Sequence, residues 1–128
     1  MGLKVLGEAL VASDGFSARY DLDRIAGVFS RPRHALYGQS YVGKILVLDK
    51  AKGGVASAWM LHEMVTQAKS PLALVLNHVN PVIAQGAALA GLTLMDGFED
   101  DITALIRSGD HLEIDPENRC LKCRTGKT

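Results

Sequence analysis

Two short apolar runs constrain this chain more than any other feature. Ile45-Leu46-Val47-Leu48 and Leu72-Ala73-Leu74-Val75-Leu76 are continuous and free of polar alternation. Runs of that length and kind are the pattern of strands buried on both faces. What lies between them supplies a helix. Asp49 to Gly54 is polar and ends in Gly53-Gly54, a turn signal. From about Ala56 the apolar period changes, and Ser57, Met60, Leu61, Met64, Val65 and Ala68 fall on one helical face.

A strand that turns through glycines into a helix can do a specific job. The first N–H groups of the helix have no internal partner and point at whatever sits in the turn. The helix dipole adds about half a positive charge there. Glycines allow close approach because they carry no Cβ. Lys50 and Lys52 flank the turn. The stretch therefore reads as an anion site, or as an ordinary strand-to-helix connection with exposed lysines.

The remaining segments surround this core. Leu3–Ala12 reads as a first strand, Ser13-Asp14-Gly15 as a turn and Phe16–Tyr20 as a short strand. Asp21–Pro32 carries charges, a glycine and a proline around one apolar stretch, which predicts a loop or short strand. Asn80-Pro81 is a helix start, with asparagine as cap and proline in the first turn, and Gly91 is its stop. Leu92–Met95 predicts another strand. Phe98–Ile106 begins acidic and predicts one or two helical turns. His111–Ile114 and Cys120–Cys123 predict a hairpin around the turn residues Asp115-Pro116-Glu117-Asn118. At 128 residues, 48% of them hydrophobic, the chain suits one compact α/β domain spanning 1–128 with two main helices and a mixed sheet.

Charge and flanking segments bound the partners. The formal net charge is zero, which offers no overall attraction to nucleic acid or to an anionic membrane. It is unevenly spread: residues 1–52 carry eight Lys/Arg against five Asp/Glu, and residues 53–119 carry three against nine. Such a surface steers a partner protein or is simply solvated. Met1-Gly2-Leu3-Lys4 leads straight into a strand pattern, and no apolar run approaches a membrane span, so a cytoplasmic location is expected.

Several motifs carry less than they promise. Gly38–Lys44 matches GxxxxGK, but Ile45 stands where a nucleotide-binding loop needs Ser or Thr, and a strand follows instead of a helix. Cys120 and Cys123 form a single CxxC without a second ligand pair, and His34, His62, His78 and His111 have no partner at metal-ligand spacing. No metal or other cofactor held by this chain alone is expected. Arg31, Arg33 and His34 form a basic cluster that meets an anionic substrate or is a solvated loop. His78 follows a buried strand, at a strand end where sites often sit in α/β folds.

His34-Ala35-Leu36-Tyr37-Gly38-Gln39-Ser40, Gly43-Lys44-Ile45-Leu46-Val47 and Ala84-Gln85-Gly86-Ala87 together resemble the small, swivelling subunit of the aconitase X family, and the resemblance covers nearly the whole chain. It implies a swivelling β/β/α fold like the aconitase swivel domain. It implies a larger catalytic partner subunit that carries an iron or iron–sulfur centre and most substrate contacts. It also implies a composite active site that removes water from a small hydroxy acid. In this family the glycine turn is usually followed by serines, one of which takes a proton. Here Gly54 and Val55 hold those positions. Ser57 is the nearest hydroxyl and the weak candidate for that role, with Lys52, Gly53, Gly54 and His34 as substrate-binding candidates. The departure leaves open a non-catalytic partner-binding module. A phosphohistidine carrier, which shares the swivelling architecture and a GGxxSH loop, is disfavoured because Ala58 stands where its histidine belongs.

Overall fold

The computed structural model describes residues 4–13, 22–23, 27–30, 34, 36–50, 55–96, 98, 100–116 and 120–124, with the backbone alone described at 22–23, 55–57, 120 and 123–124. In chain order the elements are β1 (Val5–Val11), β2 (Leu22–Asp23), β3 (Val28–Phe29), β4 (Ile45–Lys50), α1 (Val55–Thr66), β5 (Ala73–His78), α2 (Pro81–Ala90), β6 (Thr93–Met95), α3 (Ile102–Leu105), β7 (His111–Asp115) and β8 (Cys120–Arg124).

Six strands form one mixed sheet in the order β6-β5-β4-β1-β7-β8. β1, β4, β5 and β6 are parallel neighbours, while β7 runs antiparallel to β1 and β8 antiparallel to β7. The parallel half follows from the apolar runs: Ile45–Leu48 and Ala73–Leu76 are all fully buried, as strands covered on both faces must be. β2 and β3 form a separate two-stranded ribbon.

Strand alternation divides the core in two. Leu46, Leu48, Leu74 and Leu76 point to the α1–α2 side, where they meet Leu61, Met64, Ile83 and Ala87. Ile45, Val47, Ala73 and Val75 point to the other side, where they meet Ile102, Ile106, Leu112 and Ile114. Each fully buried leucine or isoleucine contributes about 1.5–3 kcal/mol of transfer free energy. The expected face of α1 is realised: Leu61 and Met64 are buried and Met60 and Val65 half-buried, with Trp59, His62 and Glu63 outside. The face ends before Ala68, which has a positive φ of 58° and closes the helix.

α2 has the predicted ends. The Asn80 side chain accepts from the Ile83 N–H at 2.9 Å, Pro81 opens the helix, and Gly91 takes the left-handed conformation at φ 75°. The Phe98–Ile106 segment forms a single short turn of helix, Ile102–Leu105, capped by Asp101. The expected mixed segment at Asp21–Pro32 yields β2 and β3, and the expected strand at Phe16–Tyr20 lies outside the described residues. The GxxxxGK stretch runs into β4, as the absence of Ser or Thr requires.

Candidate functional site

β4 and β5 end in matching words, Leu46-Val47-Leu48-Asp49-Lys50 and Leu74-Val75-Leu76-Asn77-His78, and the parallel ladder pairs them position for position. Lys50 therefore stands beside His78, one strand spacing of about 4.8 Å away along the hydrogen-bonding direction. By alternation both belong to the α1–α2 side, and both are exposed. α1 and α2 each start after these strand ends. Their N-termini, with their positive dipole ends, lie at the same edge of the sheet.

Asp49 and Asn77 belong to the opposite side and make a fixed polar network. The Asn77 Nδ2 donates to Asp49 Oδ1 at 3.0 Å and to Asp101 Oδ1 at 2.7 Å. Its Oδ1 accepts from the Ile102 N–H at 2.8 Å. Asp101 also accepts from the Thr103 hydroxyl at 2.6 Å and the Thr103 N–H at 3.0 Å. The Thr103 hydroxyl first, then the Asn77 amide and the Thr103 backbone, hold the Asp101 carboxyl below its ordinary value. One amide thus ties the ends of two central strands to the start of α3. Sequence reasoning passed over this network. The signal was present in the repeated word, because a polar residue at the same place in two paired strands faces its counterpart.

The site residues expected from sequence are placed as follows. Lys52, Gly53 and Gly54 lie outside the described residues, between the end of β4 and the start of α1. Ser57 is the third residue of α1, and its side chain lies outside the described ones. His34 is 6% exposed, packed between elements rather than presented on a surface. Its ring stacks on Phe29 with centroids 4.5 Å apart, and its Nδ1 accepts from the Leu36 N–H at 3.0 Å. Arg31 and Arg33 of the same loop lie outside the described residues.

One cleft opens elsewhere, along the outer seam of α1 and α2. It has a volume of about 210 Å³ and is lined by Trp59, His62, Val82, Gln85 and Leu89 above a floor of Ala58 and Gly86. Trp59 and Leu89 are largely exposed, at 67% and 75%. The lining is almost entirely apolar and holds no carboxylate to pair with the imidazole of His62. Among the described residues no three His, Cys, Asp or Glu side chains come together to hold a metal. Among the described residues no helix is long and apolar enough to cross a membrane.

Comparison with known proteins agrees with this architecture. The family model of the aconitase X swivel domain matches residues 1–123. The phosphomevalonate dehydratase small subunit of Methanococcoides burtonii is 29% identical over 109 residues, covering 85% of this chain and 80% of that protein. That of Pyrococcus horikoshii is 29% identical over 113 residues, covering 88% and 82%. The crystal structure of Thermococcus kodakaraensis aconitase X in its holo-form superposes with a TM-score of 0.87 at 23% identity, covering 95% of this chain and 91% of that one. The solution NMR structure of a UPF0107 protein superposes with a TM-score of 0.86, also at 23% identity, covering 96% and 92%. With the family model spanning residues 1–123 and the fold superposing on a solved aconitase X with a TM-score of 0.87, this chain belongs to the aconitase X swivel-domain family.

Proposed function

We propose that the chain is the small subunit of a hydro-lyase, a dehydratase that closes its active site with a larger partner subunit. Family membership over residues 1–123 is the observation that carries this reading, and the relatives named as dehydratase small subunits support it. The substrate is a small hydroxy acid, and its negative charge suits the edge where Lys50, His78 and two helix N-termini gather. Lys52, Gly53 and Gly54, which lie between β4 and α1 in sequence, are the further candidates for holding that anion. His34 acts from within the packing, where its ring stacks on Phe29 and its Nδ1 accepts from the Leu36 N–H. The iron or iron–sulfur centre belongs to the large subunit. The chemistry assigned to this chain is binding, orientation and proton handling.

The test is to co-express the chain with the large subunit encoded beside it and to assay dehydration of a hydroxy-acid panel including phosphomevalonate and hydroxyprolines. Turnover of one panel member by the complex, and by neither subunit alone, is the expected result. A stable complex that dehydrates none of them contradicts the reading.

Gly54 and Val55, at the positions where the resemblance implies serines, favour a second reading: a partner-binding module without a catalytic group. It predicts a tight complex whose turnover is insensitive to substitution of any polar residue at the strand ends of this chain.

A further inference from the structure

Within the hydro-lyase reading, on which this step rests, we infer that His78 is the group that accepts the substrate's proton in place of the absent serine hydroxyl. Dehydration needs a base on one carbon. The C–H electron pair becomes the new C=C bond, and the C–O electron pair leaves with the hydroxyl group of the neighbouring carbon. That hydroxyl takes up a proton from solvent or the large subunit and departs as water, and the C–H proton must go to a nearby lone pair. Gly54 and Val55 have none to offer in their side chains.

The titratable groups at this edge of the sheet sort themselves by geometry. Asp49 and Asp101 lie on the α3 side of the sheet, bound to one amide nitrogen of Asn77, and Asp101 carries the Thr103 bonds as well. Asp96 follows β6, which neighbours β5 and stands one strand further from β4 than His78 does. His34 is enclosed, with Nδ1 engaged by the Leu36 N–H and its face covered by Phe29. Lys50 is a cation and serves the substrate's anion.

His78 remains. It is exposed, it is the last residue of β5, and it belongs to the same side of the sheet as α1. It stands next to Lys50 in the ladder, and Lys50 is the last residue of β4 before the turn that leads into α1. An imidazole is the side chain whose ordinary pKa suits proton transfer near neutrality. The strand pairing sets it beside the cation that would hold the substrate, and the dipole ends of α1 and α2 favour the negative charge that develops as the proton leaves.

The experiment uses the complex with the large subunit, the substrate found in the panel assay, and the variants His78→Gln, His78→Gly and Ser57→Ala. Gel filtration verifies that each variant still associates. For His78→Gln the expected kcat is lower by about a hundredfold or more, with KM within threefold. The rising limb of the pH–kcat profile is lost as well. Added imidazole restores turnover to His78→Gly. A His78→Gln complex with unchanged kcat and pH profile overturns the inference while the hydro-lyase reading stands. So does a Ser57→Ala complex that loses turnover while His78→Gln keeps it. A loss in His78→Gln that imidazole does not repair in His78→Gly, with the rising limb intact, shows a merely structural histidine and overturns it too. A wild-type complex without any dehydration overturns both together.

Discussion

Gly86 faces Ala58 across the α1–α2 contact with no room for a methyl group between them. A Cβ on Gly86 would stand 2.6 Å from the Ala58 Cβ and 2.9 Å from its Cα. The helices approach so closely because both contact positions are small, and Leu61, Met64, Ile83 and Ala87 close over the sheet beneath them. Gly86→Ala should gain up to about 1 kcal/mol of helix propensity. It should lose more by forcing the helices apart, since overpacking a tight contact costs about 1–3 kcal/mol. The expected result in urea titration is a lower midpoint, with a larger loss for Gly86→Leu.

Asn77→Leu removes three hydrogen bonds at once and leaves two carboxylates facing an apolar side chain. With hydrogen bonds to charged groups contributing about 1.5–3 kcal/mol and this site only part-buried, we expect a net loss of about 2 kcal/mol. Hydrogen exchange should show the largest change at the Ile102 amide, which loses its acceptor.

Asp101 makes stability depend on acid in a definite sense. Its folded pKa lies below the ordinary 3.8, so the folded state binds the proton less readily than the unfolded chain does. The contribution is fully present above that value and is lost as pH falls through the folded pKa. Asp101→Asn keeps an acceptor for the Thr103 N–H but removes the titration. Thermal melts from pH 6 down to pH 2 should show a shallower fall for the variant than for the parent.

Asn80→Ala removes the side-chain acceptor for the Ile83 N–H and leaves α2 uncapped. The expected cost is about 1 kcal/mol. Asn80→Asp should recover most of it, because a carboxylate also accepts at a helix start. Comparing the two by denaturant titration separates the cap from any other role of the side chain.

Most of the elements were legible because their signals are local. The buried runs of β4 and β5, the Asn80-Pro81 start and the Gly91 stop of α2, and the apolar face of α1 each depend on neighbouring residues alone. The family resemblance was legible in the same way, since its motifs are contiguous words. Less legible was α3, where an acidic start and a few apolar residues suit a turn or a helix equally, and packing of Ile102 beneath the sheet decides it.

The candidate site divides along the same line. The sequence alone determined that a strand and a helix follow one another at 45–64, with Lys50, Lys52 and two glycines in the stretch that joins their apolar cores. It could not say which residues of β5 stand beside those of β4, because a one-residue slip in pairing moves every side chain to the other face of the sheet. The tertiary structure decided that pairing. It placed Lys50 against His78 on the α1–α2 side, and Asp49 with Asn77 on the α3 side. It also placed His34, a substrate-binding candidate from the resemblance, in a stack with Phe29. Register is decided by long-range burial of Leu46, Leu48, Leu74 and Leu76 against helices distant in sequence, and that burial has no local sign.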